Sequence, residues 1–343
     1  MAAVNIGTPT VRYTDDHQPI REWVGNPLYV SNSEIQTWKQ CKRKWYLAYV
    51  RRLGLKAEHD EITGPRSLGT RIHMVLDHYF TEDGVDPVAF LRELYEDTIR
   101  QLTELERATE DVVAALWKEY DLGHAMLTGF LEWLAENGID SGIEVVDTEA
   151  AVVAKTHIPG VFLRGKLDQR IVRASDGARL FRDWKTVGDL TTPTKTLHMD
   201  EQMKFYHLLE YLDAVAKIGG EAPWRTDGAL YMMLRRVKRT ANAKPPFYGQ
   251  LEVHHNKATV QDMWIRTTKV IEEMFDAHYA LQNGADHHYV TYPSPNRDCT
   301  WKCDFFPVCP MFDDGSNAEG MLELYYAEGD PNARYETKGE SNG

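Results

Sequence analysis

Residues 160–187 read GVFLRGKLDQRIVRASDGARLFRDWKTV, and the reading of this stretch decides the fold. Val161, Phe162, Leu163, Leu167, Ile171 and Val172 form dense short apolar runs, and Ser175-Asp-Gly177 between two such runs is turn chemistry. The stretch predicts two adjacent strands joined by a tight turn. Asp168 falls in the first strand, and Asp183 and Lys185 at the end of the second. The strand period of two puts Asp183 and Lys185 on one face.

Outward from this pair the chain alternates in a regular way. Val145, Val146, Ala151, Val152 and Val153 predict a preceding strand, with Pro159-Gly160 as a hairpin turn. Ala229 to Leu234 predicts another strand. Helices are expected from Ser31 to Tyr49, Gly69 to Phe80, about Asp86 to Arg100, Thr109 to Asn137 closed by Gly138, Asp200 to about Ala216, and Val260 to Leu281. Ser31 followed by Glu34 fits a capping box, and the first helix projects Trp38, Cys41, Trp45 and Tyr49 onto one buried stripe. Thr191, Thr192 and Pro193 read as loop. This order predicts an α/β protein with a central mixed sheet flanked by helices. The division expected is a flexible segment over 1–25, one domain over 26–312, and a loose acidic tail over 313–343. Within the domain, a helical insertion covers about 85–138 and the core about 144–235.

The chain has 343 residues, 43% of them hydrophobic, and a net charge of −13. No apolar run reaches the length of a membrane span, and the N-terminal segment lacks the charge and apolar order of a signal peptide, so a cytoplasmic location is expected. The acidic balance excludes a generally phosphate-binding surface and confines any nucleic-acid site to a local basic patch. It also suits a protein partner, of the recombination or single-strand-binding kind.

Asp168 and Asp183 are the oxygen donors that a hard divalent cation prefers, and Lys185 would stand beside a metal-bound water to orient or deprotonate it. Taken alone, an Asp-x-Lys triplet is more often a surface ion pair. The neighbours change that weighting. Gly165-x-x-Asp168, Asp183-x-Lys185-Thr186 and Gln202-Met-Lys-Phe-Tyr206 follow in order, after Gly69-Thr-Arg-Ile-His73. This arrangement resembles the RecB-like branch of the PD-(D/E)XK nucleases over about residues 30–312. The resemblance implies a restriction-endonuclease-like sheet and Mg²⁺ or Mn²⁺ held by His73, Asp168, Asp183 and the Trp184 carbonyl. Lys185, Gln202 and Tyr206 complete the catalytic set, with Glu149, Glu144 or Asp147 as a further acid on the preceding strand. It also implies hydrolysis of DNA, by an exonuclease on single strands or ends that acts in recombination, repair or end processing. Freestanding relatives of this kind include phage proteins. Gly160 to Lys166 superficially matches a phosphate-binding loop, but Leu167 stands where Ser or Thr is needed, which excludes an ATPase reading.

The four cysteines divide as Cys41 and the triplet Cys299, Cys303 and Cys309. Their chemistry suits either Zn²⁺ or a [4Fe–4S] cluster. The distribution of one distant cysteine plus a C-terminal triplet resembles the iron–sulfur staple of AddB-type and CRISPR-associated nucleases. That resemblance implies a structural cluster joining segments 31–49 and 296–312, although three residues rather than two separate Cys299 from Cys303. Lys39, Lys42, Arg43 and Lys44, with Arg51, Arg52 and Lys56, form one expected phosphate track, and Arg235 and Arg236, with Lys238, Arg239 and Lys244, a second. Tyr46 is the stacking candidate, ahead of Trp38 and Trp45, which belong to the buried stripe. The pairs His254-His255 and His287-His288 lack companions at metal-ligand spacing. Two other readings fit part of this pattern: a noncatalytic DNA-end-binding scaffold subunit, and an iron–sulfur redox sensor.

Overall fold

The structure is a computed structural model that describes residues 7–82, 84–217 and 226–335. Its centre is a six-stranded mixed sheet of β1 (Leu28–Ser31), β2 (Ile143–Lys155), β3 (Val161–Arg173), β4 (Ala178–Val187), β5 (Gly228–Arg235) and β6 (Tyr248–Val253). The pairs β2/β3, β3/β4 and β5/β6 are antiparallel, whereas β1/β3 and β4/β5 are parallel. The opening stretch is therefore β3, a turn and β4, as its patterning predicts.

One detail of register positions everything that follows. Strand β2 runs along β3 from Phe162 to Arg173. The opposite edge of β3 is shared, with β1 pairing Val161 to Arg164 and β4 pairing Gln169 to Arg173. Between them Gly165 to Asp168 have no bridged partner on that edge, so the sheet opens a gap where Asp168 sits.

Six long helices cover the sheet: α1 (Asn32–Gln40), α2 (Pro65–Thr81), α3 (Pro87–Glu104), α4 (Glu110–Glu136), α5 (Glu201–Ala216) and α6 (Lys257–Gln282). Their starts follow side-chain capping: Ser31, Asp86, Thr109, Asp200 and Asn256 each accept a backbone N–H from the first turn of their helix. Helices α1, α5 and α6 bury one sheet face with Phe181, Phe205 and Phe275. Helices α2 to α4 bury the other with Ile72, Leu91, Phe130 and Trp184. Each fully buried Val, Leu, Ile, Phe or Met side chain in these cores stabilises by roughly 1.5–3 kcal/mol. No helix among the described residues is long and apolar enough to cross a membrane.

Four local departures from the sequence reading have physical causes. The first helix breaks at Cys41, whose φ of −161° and ψ of 116° are extended; helical turns resume over Lys42–Trp45 and Tyr46–Val50. Ser31 caps as expected, but Glu34 turns inward and accepts from Trp45 Nε1 at 3.0 Å instead of closing the box. Thr191–Thr196 is a short helix where loop was expected. Both terminal segments are more ordered than their polarity predicts. Thr8–Tyr13 pairs with Pro19–Val24 in a ribbon tied to the β2/β3 turn by Trp23 N–H donating to Pro159 O at 2.8 Å. In the expected loose tail, Ala318–Tyr325 is a helix and Tyr326–Glu328 pairs with Leu53–Leu55. Ala318, Leu322 and Tyr326, buried with Leu47 and Phe305, anchor that segment, too few residues to register as a pattern. Residues 1–6 and 336–343 lie outside the described residues.

Candidate active site

The gap in the sheet collects the titratable residues that the sequence singled out. Past the last bridged pair, Gln169 and Arg182, the strands part. There Asp168 Oδ2 accepts the Trp184 N–H at 2.9 Å, and His73 Nδ1 lies 3.3 Å from the same oxygen. On β4, the Lys185 ammonium stands 3.0 and 2.8 Å from the two oxygens of Asp183. Gln202 Nε2 donates to the Tyr206 hydroxyl at 3.0 Å on α5. His73 thus arrives from α2, the acids from β3 and β4, and Gln202 with Tyr206 from α5.

Two glycines make these approaches possible. A Cβ on Gly165 would lie 2.5 Å from Leu209 Cδ1 and 3.1 Å from Tyr206 Cε1, so the absent side chain lets α5 press onto β3. A Cβ on Gly69 would meet Thr186 Oγ1 at 3.2 Å, which is how closely α2 passes the end of β4 beside Lys185. The glycines of both motifs therefore have steric reasons.

The electrostatics are those of a buried charged cluster. Burial, more than the nearby Asp168 charge, lifts the Asp183 carboxyl to about 6 despite the opposing Lys185. Asp168 is also buried, but the hydrogen bond and charge of His73, with Lys185 and the Trp184 amide, hold it below its usual value. Burial works against the Lys185 ammonium, yet Asp183 and Asp168 outweigh it and raise Lys185. For Tyr206, burial first and the carboxylates second push the hydroxyl up, so it stays a neutral donor. These carboxylates and the imidazole supply the oxygen and nitrogen donors that a divalent cation takes, and burial of Asp183 leaves negative charge that one would neutralise. The donor set fits Mg²⁺ or Mn²⁺.

The register of β2 on β3 brings one of the three candidate acids beside Asp168. Thr148 pairs with Gln169 and Ala150 with Leu167, which puts Glu149 opposite Asp168. Glu149 has a positive φ of 51° and an ion pair with Lys166, and burial raises its carboxyl. Asp147 faces Arg170, and Glu144 is exposed.

Two contributors were missed by sequence reasoning. Tyr231 on β5 pairs with Asp183, and burial and its charged surroundings push its hydroxyl up to about 12. Arg182 is fully buried, with Phe80 and Trp184 rings 4.7 and 4.6 Å from its guanidinium, and Nε donates to Gln169 at 2.6 Å. Tyr231 lies on a strand buried along nearly its whole length, where no alternation marks it, and Arg182 carries no sequence signal.

The expected basic tracks are largely consumed within the fold. Arg43 is 3% exposed and donates to both oxygens of Asp313 at 2.8 Å, so it cannot contact phosphate; the tail that holds it was read as loose. Lys39 pairs with Glu201 at 2.7 Å, Lys44 donates to the Lys302 carbonyl at 2.9 Å, and Lys42 lies between the Trp38 and Tyr292 rings. Arg51 and Arg52 pair with Glu319 and Asp330, and Lys56 donates to Glu323 O. Arg235 donates to Lys244 O and Arg236 to Thr186 O, the latter bracing the strand end that carries Lys185. Trp38 and Trp45 are buried, and Tyr46 stacks on His287 with centroids 5.1 Å apart. His288 is already bonded to Asp286 and to Phe312 O, and His255 faces His207 at 3.3 Å.

Cys41, Cys299, Cys303 and Cys309 are all free and half-buried. Burial first, and then the nearby Cys41, pushes up the thiols of Cys303 and Cys309, with Cys309 adding to the effect on Cys303. Backbone N–H groups of Ser294 and Asn296 point at the sulfurs of Cys41 and Cys299 at 3.5 and 3.4 Å, and Arg43 Nη1 is 3.6 Å from Cys309 Sγ. Donors aimed at sulfur are what metal-bound thiolates accept, so the residues present fit a thiolate-ligated group.

With this geometry in place, the model of the PD-(D/E)XK nuclease superfamily matches residues 29–310, most of the chain. The chain belongs to the PD-(D/E)XK nuclease superfamily. No curated protein matches this nuclease significantly in sequence. Among solved structures, a candidate exonuclease from Eubacterium rectale is 12% identical with a TM-score of 0.44, over 81% of this chain and 87% of the other. The protein SSO0001 is 15% identical with a TM-score of 0.29, over 70% of this chain and 94% of its own.

Proposed function

We propose that this nuclease hydrolyses DNA phosphodiester bonds as an exonuclease on single strands or ends, in recombination, repair or end processing. The observation that carries the reading is the meeting of His73, Asp168, Asp183 and Lys185 in the gap between β3 and β4. His73, Asp168, Asp183 and the Trp184 carbonyl would hold Mg²⁺ or Mn²⁺. When bound, the cation supplies charge for the phosphate oxygens and acidifies water.

The chain's own groups divide the remaining work. Lys185, within 2.8 Å of Asp183, would stand beside the attacking water to orient or deprotonate it. Tyr206, its oxygen fixed by Gln202, keeps a proton free to donate toward a phosphate oxygen. Glu149 stands opposite Asp168 in register, paired with Lys166, and adds negative charge to the cleft. The test is cleavage of end-labelled single- and double-stranded DNA with Mg²⁺ or Mn²⁺, beside the Lys185→Ala protein. Loss of cleavage in that variant supports the mechanism, and equal cleavage by both proteins removes it.

The four cysteines are proposed to hold a structural [4Fe–4S] cluster, a reading supported by the amide groups aimed at their sulfurs. Brown protein with four irons after anaerobic purification is the expected result. Colourless protein containing zinc would replace it with a structural zinc site.

A further inference from the structure

Trp301 is the largest side chain left outside the fold next to the cysteine site. It is 67% exposed on the short helix Cys299–Lys302. Cations flank it: Lys302 Nζ lies 4.2 Å from the ring centroid, and Lys44 Nζ bonds the Lys302 carbonyl at 2.9 Å. Asp304 follows three residues on, 3.9 Å from the exposed Arg66. The three cations outnumber the acids Asp298 and Asp304, which are both paired with them. A flat π-face amid cations is the surface that an unpaired base and its phosphate recognise. An apolar protein partner would want a continuous apolar patch instead.

The position is also suitable. Arg66 lies in the first turn of α2; one turn further, Gly69 packs on Thr186, the residue after Lys185, and His73 follows one turn beyond that. Arg66 and His73 are separated by about 10 Å along the helix. The loop that carries Trp301 is thus tied, through Asp304 and Arg66, to the start of the helix that delivers His73.

We propose that Trp301, with Lys44, Lys302 and Arg66, is a stacking platform for a single DNA strand entering the active site. The proposal rests on the nuclease reading for the identity of the strand, and its test does not depend on cleavage. Labelled oligothymidylate is titrated, without added divalent metal, into the Lys185→Ala protein and into the same protein carrying Trp301→Ala or Trp301→Phe. A matching oligonucleotide with abasic residues is titrated in parallel. One base–aromatic stack predicts roughly five- to tenfold weaker binding for Trp301→Ala and near-unchanged binding for Trp301→Phe. The abasic strand loses a similar factor on the Trp301-bearing protein and little on Trp301→Ala. Equal affinity of Trp301→Ala and its parent for oligothymidylate overturns the platform, as does a loss of the same size on the abasic strand. If base-dependent loss appears while the wild-type protein cleaves no DNA, the platform stands and the nuclease reading falls.

Discussion

His73 Nδ1 lies 3.3 Å from Asp168 Oδ2, joining a helix from the first quarter of the chain to the central strand. Asp168 also accepts the Trp184 amide, so the same carboxylate holds α2 and β4 in register at the open edge of β3. Removing the imidazole leaves the acids in place but takes away one donor for the cation. His73→Ala is expected to need roughly 10–100-fold more Mn²⁺ for half-maximal cleavage, in the range that loss of support to a metal site produces. Metal titrations of activity and calorimetry check this, and an unchanged metal requirement would exclude His73 from the site.

Gly165 provides a steric test of the same centre. A methyl there would meet Leu209 and Tyr206 at less than van der Waals contact. Gly165→Ala is expected to cost about 1–3 kcal/mol of stability, as overpacking does. Because Tyr206 is one of the groups displaced, cleavage falls even at temperatures where the protein remains folded. Thermal melts with turnover measured well below the melting point separate the two effects.

The catalytic strands were readable because each demand on them leaves a mark in sequence. Alternation sets β3 and β4, Asp-x-Lys sets a shared face, and both motif glycines answer to close packing. Tertiary events left none. Arg43 looked like part of a basic track because its run of cations is local, whereas its partner Asp313 is 270 residues away. The break at Cys41 is one extended residue inside an amphipathic pattern. Trp301 was passed over beside Trp38 and Trp45, because aromatic residues on a strong helical stripe draw attention that a four-residue helix does not.

Arg43 gives a prediction opposite to the one its charge suggests. It is buried and bidentate with Asp313, and its guanidinium touches Cys309 and the Phe312 ring. Arg43→Ala is expected to lower stability by about 2 kcal/mol, within the range for a hydrogen-bonded charge pair losing one partner. The salt dependence of DNA binding should not change, since no phosphate contact is removed. A shallower slope of log affinity against log salt would return Arg43 to the DNA interface.

Glu34 predicts a pH effect. Its carboxyl is buried beneath Trp45, and burial, only partly offset by the Trp45 hydrogen bond, raises it to about 7 from 4.5. The folded state therefore binds this proton more tightly than the unfolded one. The stabilisation is complete below about 4.5 and is lost as pH rises to about 7, a difference of up to about 3 kcal/mol. Glu34→Gln, which keeps an acceptor for Trp45, should flatten this part of the profile. Melting curves from pH 4.5 to 8 that are parallel for both proteins would show that Glu34 does not titrate in this window.

Cys41 tests whether the cysteine site is a staple. Its extended backbone turns the chain between α1 and the Lys42–Trp45 turn, and its sulfur receives the Ser294 N–H, 253 residues away. The short elements from Cys299 to Phe312 are otherwise tied by side-chain bonds from Lys44, Arg43 and Tyr326 to the Lys302, Cys309 and Asp304 carbonyls, around the buried Phe305 and Val308. A group bound by all four sulfurs would hold this segment to α1 and close a loop spanning nearly the whole nuclease domain. Cys41→Ser purified anaerobically is thus expected to lose iron and to melt about 3 °C lower, the shift that about 2 kcal/mol produces in a domain of this size. Brief proteolysis should then cut first between residues 294 and 312, before the sheet, because the staple and not the core holds that stretch. Iron retained at full stoichiometry with an unchanged melting point would mean that Cys41 is not a ligand, and that strand pairing, ion pairs and the shared apolar cluster hold the N- and C-terminal segments.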